Sequence, residues 1–76
     1  MNKSRRKRID ESLNKLADAQ AAIKKALEEE KQALAKVPDD DDNEEKREAM
    51  DEIISSLEDV LSSLDEAIDT LETADF

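Results

Sequence analysis

Large apolar residues recur with helical spacing in two separate stretches of the chain. Ile53–Thr73 reads as three similar sevens, IISSLED, VLSSLDE and AIDTLET, and a comparable 4-3 spacing runs from Ile9 to Leu34. Apolar residues spaced alternately three and four apart predict an amphipathic helix that buries one face along its whole length. We therefore predict two long helices, over about residues 4–36 and 43–74.

A short polar segment, VPDDDDN, separates the two patterns at residues 37–43. Pro38 restricts the residue before it and has no backbone N–H to donate, so the first helix should end there. Asp42 followed by Glu45 matches a capping box for the second helix. So short a connector between long helices predicts an antiparallel αα-hairpin. Residues 1–76 thus form a single all-α domain, with a basic arm at 1–8 and an acidic connector at 37–43.

The two apolar patterns interlock when the numbers of facing residues sum to 80. The predicted coiled-coil seam then consists of Ile9, Leu13, Leu16, Ile23, Leu27, Met50, Ile53, Leu57, Val60, Leu64 and Leu71. Gln20 and Glu30 interrupt this seam. We interpret both as polar positions that mark the register, with a functional carboxylate at Glu30 as the alternative.

A second apolar strip lies beside the predicted seam on the second helix. The strip consists of Ile54, Leu61 and Ile68, with Ala17 opposite them on the first helix. In the predicted register its neighbours are too small or too polar to cover it, although burying each large side chain contributes roughly 1.5–3 kcal/mol. We expect a second copy to cover the strip in a homodimeric four-helix bundle. An amphipathic helix of another protein is the alternative occupant.

Composition narrows the possible functions. The chain is 45% charged and contains no Gly, Cys or His, so it has no thiolate and lacks the imidazole that is the usual general base and the commonest metal ligand. The DDDD run lacks the Gly and Glu that a calcium-binding loop requires. We predict no catalytic residue, cofactor or metal, and hence no enzyme. No apolar run is long enough to span a membrane or to form a signal peptide, so we expect a cytoplasmic protein.

Charge divides unevenly between the two helices. Residues 1–36 hold ten basic and six acidic side chains, whereas residues 37–76 hold two and sixteen. An acidic face repeats along the second helix at Asp51, Glu52, Glu58, Asp59, Asp65, Glu66 and Glu72. It either keeps the protein in solution or imitates nucleic acid in a basic groove, as an inhibitor of a host defence or DNA/RNA-processing protein would. The basic arm has no aromatic neighbour for base stacking, and we expect no direct nucleic-acid binding.

Three stretches together carry a resemblance: MNKSRRKRIDE, EEEKQALAKVPDD and EAMDEIISSLEDVLSSLDEAIDTLE. They resemble short acidic helical-hairpin proteins of gut Firmicutes and of their phages and mobile elements, a group with no assigned activity. The resemblance implies a bacterial or phage-infected bacterial cytoplasm. Together these observations favour a non-catalytic, self-associating protein-interaction module, with the nucleic-acid-mimicking inhibitor as the alternative.

Overall fold

A computed structural model describes residues 3–74 of the chain. Within this range the chain forms helix α1 (Lys3–Ala35) and helix α2 (Glu44–Thr73), joined by a connector that contains a 3-10 turn at Asp41–Asn43. The predicted all-α hairpin is confirmed, and each helix boundary lies within one residue of its expected place. The hairpin measures 60 × 15 × 13 Å, a rod two helices wide.

The basic arm is largely part of α1. Met1 and Asn2 lie outside the described residues, and the segment Lys3–Arg8 forms the first turns of the helix. At its other end α1 tightens before the proline, because the N–H groups of Lys36 and Val37 donate to carbonyls three residues earlier, at 3.1 Å each. The helix thus ends where Pro38 removes the next donor.

Asp40, rather than Asp42, provides the cap in the connector. Its carboxylate accepts hydrogen bonds from the Asn43 backbone N–H at 3.1 Å and from Asn43 Nδ2 at 2.6 Å. Asn43 precedes α2 and makes no side-chain cap hydrogen bond. The predicted Asp42–Glu45 capping box is therefore wrong. The 3-10 turn begins the helical path before α2, so the first unpaired N–H groups lie closer to Asp40.

One face of each helix forms the interface between them. Among the described residues, the buried apolar side chains are Leu27 and Ile54, at 7% and 9% exposure. The partly buried positions of the two helices are Ile9, Leu13, Leu16, Gln20, Ile23, Glu30 and Leu34 on α1, and Arg47, Met50, Leu57, Leu61, Leu64, Ile68 and Leu71 on α2. Successive positions from the two helices have numbers that sum to 80 or 81. The α1 face and the antiparallel register are those that the apolar spacing predicts.

The face of α2 differs from the prediction. Ile53 and Val60 were assigned to the seam, yet they are 48% and 43% exposed. Ile54, Leu61 and Ile68 were assigned to an uncovered strip, yet they are buried or partly buried against α1. Both assignments are wrong, and the centre of the buried face of α2 is rotated by about 50° from the expected phase, given about 100° per residue.

Side-chain size explains the rotation. Leu57, Leu64 and Leu71 belong to both phases, so the choice rests on the residues between them. The observed phase covers Leu61 and Ile68, whereas the predicted phase covers Val60 and Ala67. The difference is roughly four methylene groups at about 0.8 kcal/mol each, reduced here because burial is partial. Ala17, the α1 member of the predicted strip, remains exposed.

Candidate interaction surface

The interface divides the hairpin into two long sides of different chemistry. The side that we call the charged side carries Asp10, Ala17, Lys24 and Lys31 of α1 with Asp51, Glu58, Asp65 and Glu72 of α2. The side that we call the uncharged side carries Ser12, Ala19, Ala26 and Ala33 of α1 with Ile53, Val60 and Ala67 of α2. All fifteen residues are exposed. Each set recurs every seven residues, so each side keeps its character through the central layers, and the rows of the uncharged side end in Lys46 on α2 and Arg5 on α1.

A polar contact between Gln20 and Asp65 joins the two helices on the charged side. Gln20, partly buried in the interface, donates a hydrogen bond from Nε2 to Oδ1 of Asp65. Lys24 and Lys31 lie about one and three turns further along the same flank of α1, toward the acidic residues Glu58 and Asp51 of α2. Opposite charges thus lie along the two flanks of this side within one chain.

Arg47 connects α2 to the end of α1. Its Nη1 donates to the Val37 carbonyl oxygen at 2.8 Å, and its Nε lies 3.9 Å from Oδ1 of Asp39. The guanidinium lies at the edge of a recess of about 300 Å³ that is lined by Asp39, Asp40, Asp41, Glu44, Arg47, Glu48 and Asp51. Arg47 therefore supplies a cation where the connector gathers carboxylates, and it satisfies a carbonyl that the end of α1 leaves unpaired.

A second recess lies at the open end of the hairpin. It has a volume of about 220 Å³ and is lined by Arg6, Ile9, Asp10, Leu13, Leu71, Glu72 and Ala74. Arg6 and Glu72, from opposite helices, therefore share one groove. The placement agrees with an antiparallel register in which the basic start of α1 lies beside the acidic end of α2.

The uncharged side has no such internal partner. Ile53 and Val60 project from α2 beside Ala26 and Ala19, whose single methyl groups cannot cover them. The adjoining row on α2 is also free of charge, with Ala49, Ser56, Ser63 and Thr70 all exposed. Because these apolar side chains are grouped on one side of a protein that is 45% charged, this side is the candidate interaction surface.

The predicted acidic face of α2 comprises the acidic row of the charged side and the row outside it. Its seven carboxylates are exposed in two rows, and Asp65 is the member that accepts the bond from Gln20. The outer row, Glu52, Asp59 and Glu66, points away from α1. Among residues 3–74, no group of three or more carboxylates is arranged to hold a metal ion.

Two features of the candidate surface were not predicted from the sequence. The uncharged side was missed because Ile53 and Val60 were placed in the seam, and the relative sizes of Leu61 and Val60 were the available signal. Arg47 was not predicted because a charged residue is not expected on the buried face of α2. It lies seven residues before Ile54, on the buried repeat of α2.

No protein-family model matches the chain, and no curated protein or solved structure is significantly similar to it. The resemblance to hairpin proteins of Firmicutes and their phages therefore stays an expectation. Within residues 3–74 neither helix is long and apolar enough to cross a membrane.

Proposed function

We propose that this protein is a non-catalytic helical interaction module, which self-associates through its uncharged side into a homodimeric four-helix bundle. The observation that carries the proposal is the exposure of Ile53 and Val60, at 48% and 43%, on a side with no charged neighbour in its central layers. Helix bundles bury apolar faces of this kind against other helices.

The dimensions of the hairpin suit this proposal. A single hairpin buries only Leu27 and Ile54 among its described residues, and this is a small core for two helices of 33 and 30 residues. One long side offers a footprint on the order of 900 Å² from its 60 Å length and 15 Å width. That area is close to the ~800 Å² per partner of a standard stable interface.

Sedimentation at several concentrations tests self-association. We expect a concentration-dependent dimer that becomes a monomer when Ile53 and Val60 are both replaced by Ser. A matched control replaces Asp59 and Glu66 on the outer row with Ser, and it should leave the dimer intact. Circular dichroism reports whether each variant keeps its helices. A wild-type chain that remains a folded monomer at high micromolar concentration would contradict the proposal.

A second candidate function rests on the acidic face. Seven exposed carboxylates repeat along α2, and the rise of a helix spaces two of them in every ~10.5 Å, against one charge per ~1.7 Å in duplex DNA. The connector aspartates extend this row at one end. On this hypothesis the protein occupies a basic, nucleic-acid-binding groove on a host defence or DNA/RNA-processing protein.

Competition with DNA separates the two candidates. If α2 imitates nucleic acid, proteins retained from a bacterial lysate by the immobilised chain are released by duplex DNA and by added salt. They are also lost when Glu52, Asp59 and Glu66 become Lys, and they are kept when Ile53 and Val60 become Ser. Retention that is insensitive to DNA and salt counts against mimicry.

A further inference from the structure

We infer that the two copies pack face to face in antiparallel orientation, so that the basic start of α1 in one copy lies at the acidic connector of the other. This inference rests on the proposed self-association and adds its geometry. A two-fold axis that crosses the middle of the uncharged side would bring the same patch of both copies together. Three features of that side agree with an axis between residues 22 and 23 of α1 and between residues 56 and 57 of α2.

The first feature is the arrangement of apolar and small residues about this midpoint. Ala19 and Ala26 lie equally far on either side of it along α1, as do Val60 and Ile53 along α2. An antiparallel copy therefore places Ile53 against Val60 of the other copy, and Ala19 against Ala26. Each large side chain meets a large one of similar shape, while the close approach occurs along the alanines.

The second feature is the charge on the rim of the uncharged side. The row of α1 next to the small residues carries Lys15 and Glu29, each seven residues from Ala22 and both exposed. Reversal about the midpoint brings Lys15 of one copy within one residue, or about 1.5 Å along the rod, of the level of Glu29 of the other, and the symmetry forms this pair twice. In a parallel dimer the same two side chains would instead lie beside Ser63 and Ala49, where neither gains a partner.

The third feature is the charge at the two ends. Lys3, Arg6 and the rest of the basic arm lie at the open end, and four aspartates, Asp39 to Asp42, lie at the other. A parallel dimer would bring the two connectors together with like charges adjacent. The antiparallel dimer pairs each connector with an arm. The same reversal places Arg8 of one copy near Lys36 of the other, which is the one like-charge pair that it creates on this rim. The connector aspartates lie near this pair.

Distance measurement between spin labels tests the orientation. The chain has no cysteine, so Ser4→Cys gives one labelling site at the open end of each copy. At a helical rise of about 1.5 Å per residue, the antiparallel dimer separates the two labels by about 55 Å along the rod. The parallel dimer keeps them at the same end, within about 30 Å. Pulsed electron paramagnetic resonance resolves these distances.

Charge exchange on the rim tests the same orientation without a label. Lys15→Glu should weaken dimerisation roughly tenfold, because it creates two like-charge pairs across the axis. Adding Glu29→Lys to that variant should restore the affinity, since both pairs are then reversed. Lys25→Glu on the outer face of α1 is the control for net charge, and it should leave the affinity close to that of the wild-type chain. Circular dichroism checks that each variant folds.

The outcomes separate the orientation from self-association itself. A long distance together with rescue by the double variant supports the antiparallel dimer. A short distance, or a double variant that is weaker than Lys15→Glu alone, overturns the orientation and leaves self-association standing. The absence of a dipolar signal from a chain of monomeric mass overturns both proposals.

Discussion

The two long sides of the hairpin follow one seven-residue repeat and yet differ in what they leave for a partner. On the charged side, Gln20 bonds to Asp65, and lysines of α1 run along the carboxylates of α2. On the uncharged side, alanines run along Ile53 and Val60 and leave both more than two-fifths exposed. The difference lies in side-chain reach. Long polar side chains can meet across the groove between two helices, whereas a methyl group cannot cover an isoleucine.

A two-helix hairpin can therefore accommodate polar flanks alone but cannot bury an apolar flank alone. Each helix has only one neighbour, so the residues beside the interface have protein on one side and water on the other. Charged residues tolerate that position, whereas apolar residues are stabilised only when another protein surface covers them. The uncharged side is therefore the part of the molecule whose stability depends most on association.

The largest expected effect is the difference in unfolding free energy lost when each of two adjacent isoleucines, Ile54 and Ile53, is replaced by Ala. Ile54→Ala should lower the free energy of unfolding by about 2 kcal/mol or more, because it empties a buried position. Ile53→Ala should cost less than about 1 kcal/mol at dilutions where the chain is monomeric, since half of that side chain is already in water. Urea denaturation followed by circular dichroism measures both.

The order of these two values is the decisive result. Equal losses in the monomer would mean that α2 does not hold the phase described here. A larger loss for Ile53→Ala would favour the phase predicted from spacing alone.

The next effect concerns the connector end of the charged side. Arg47→Met keeps an apolar stem but removes the hydrogen bond to the Val37 carbonyl, and it should cost about 1 kcal/mol of unfolding free energy. Lys46→Met makes the same change in net charge at an exposed position next to it. Thermal unfolding of the two variants compares them. A Lys46→Met variant that is equally destabilised would show that net charge, and not the contact to Val37, is responsible.

The smallest effect concerns the polar position within the interface. Gln20→Leu loses the bond to Asp65 but gains apolar contact, for a net stabilisation of about 0.5 kcal/mol. Gln32→Leu places the same substitution on the exposed outer face of α1, where we expect no gain. Denaturation midpoints test the pair. A Gln20→Leu chain that is less stable than the wild type would mean that the bond to Asp65 contributes more than apolar contact at this position.

The hairpin could be predicted from sequence because its signals are local and repeated. Pro38, the polar connector and two runs of 4-3 spacing all indicate the same fold, and an error at one residue changes little. The rotation of α2 could not be read in the same way. Three leucines of α2, at 57, 64 and 71, fit either phase, so only a modest difference in buried volume between Leu61 and Val60 and between Ile68 and Ala67 decides it.

The candidate surface depends on that rotation, and it was therefore predicted on the wrong side of the interface. Spacing shows that α2 has more apolar width than one neighbour can cover, and this part of the inference stands. The spacing does not show which edge of the apolar face of α2 remains exposed. That edge follows from packing against α1 and from polar contacts such as Gln20 to Asp65, which involve residues 45 positions apart.

The Arg47 contact also has a consequence for the order in which the hairpin forms. It ties Val37 to a residue only ten positions later, so the chain can close it at a small entropic cost before distant parts of the helices meet. Each further layer of the interface then brings together residues whose separation grows step by step toward the open end. The hairpin should therefore form from its connector toward its open end. Its backbone amides should exchange with solvent fastest at the open end, where the interface forms last.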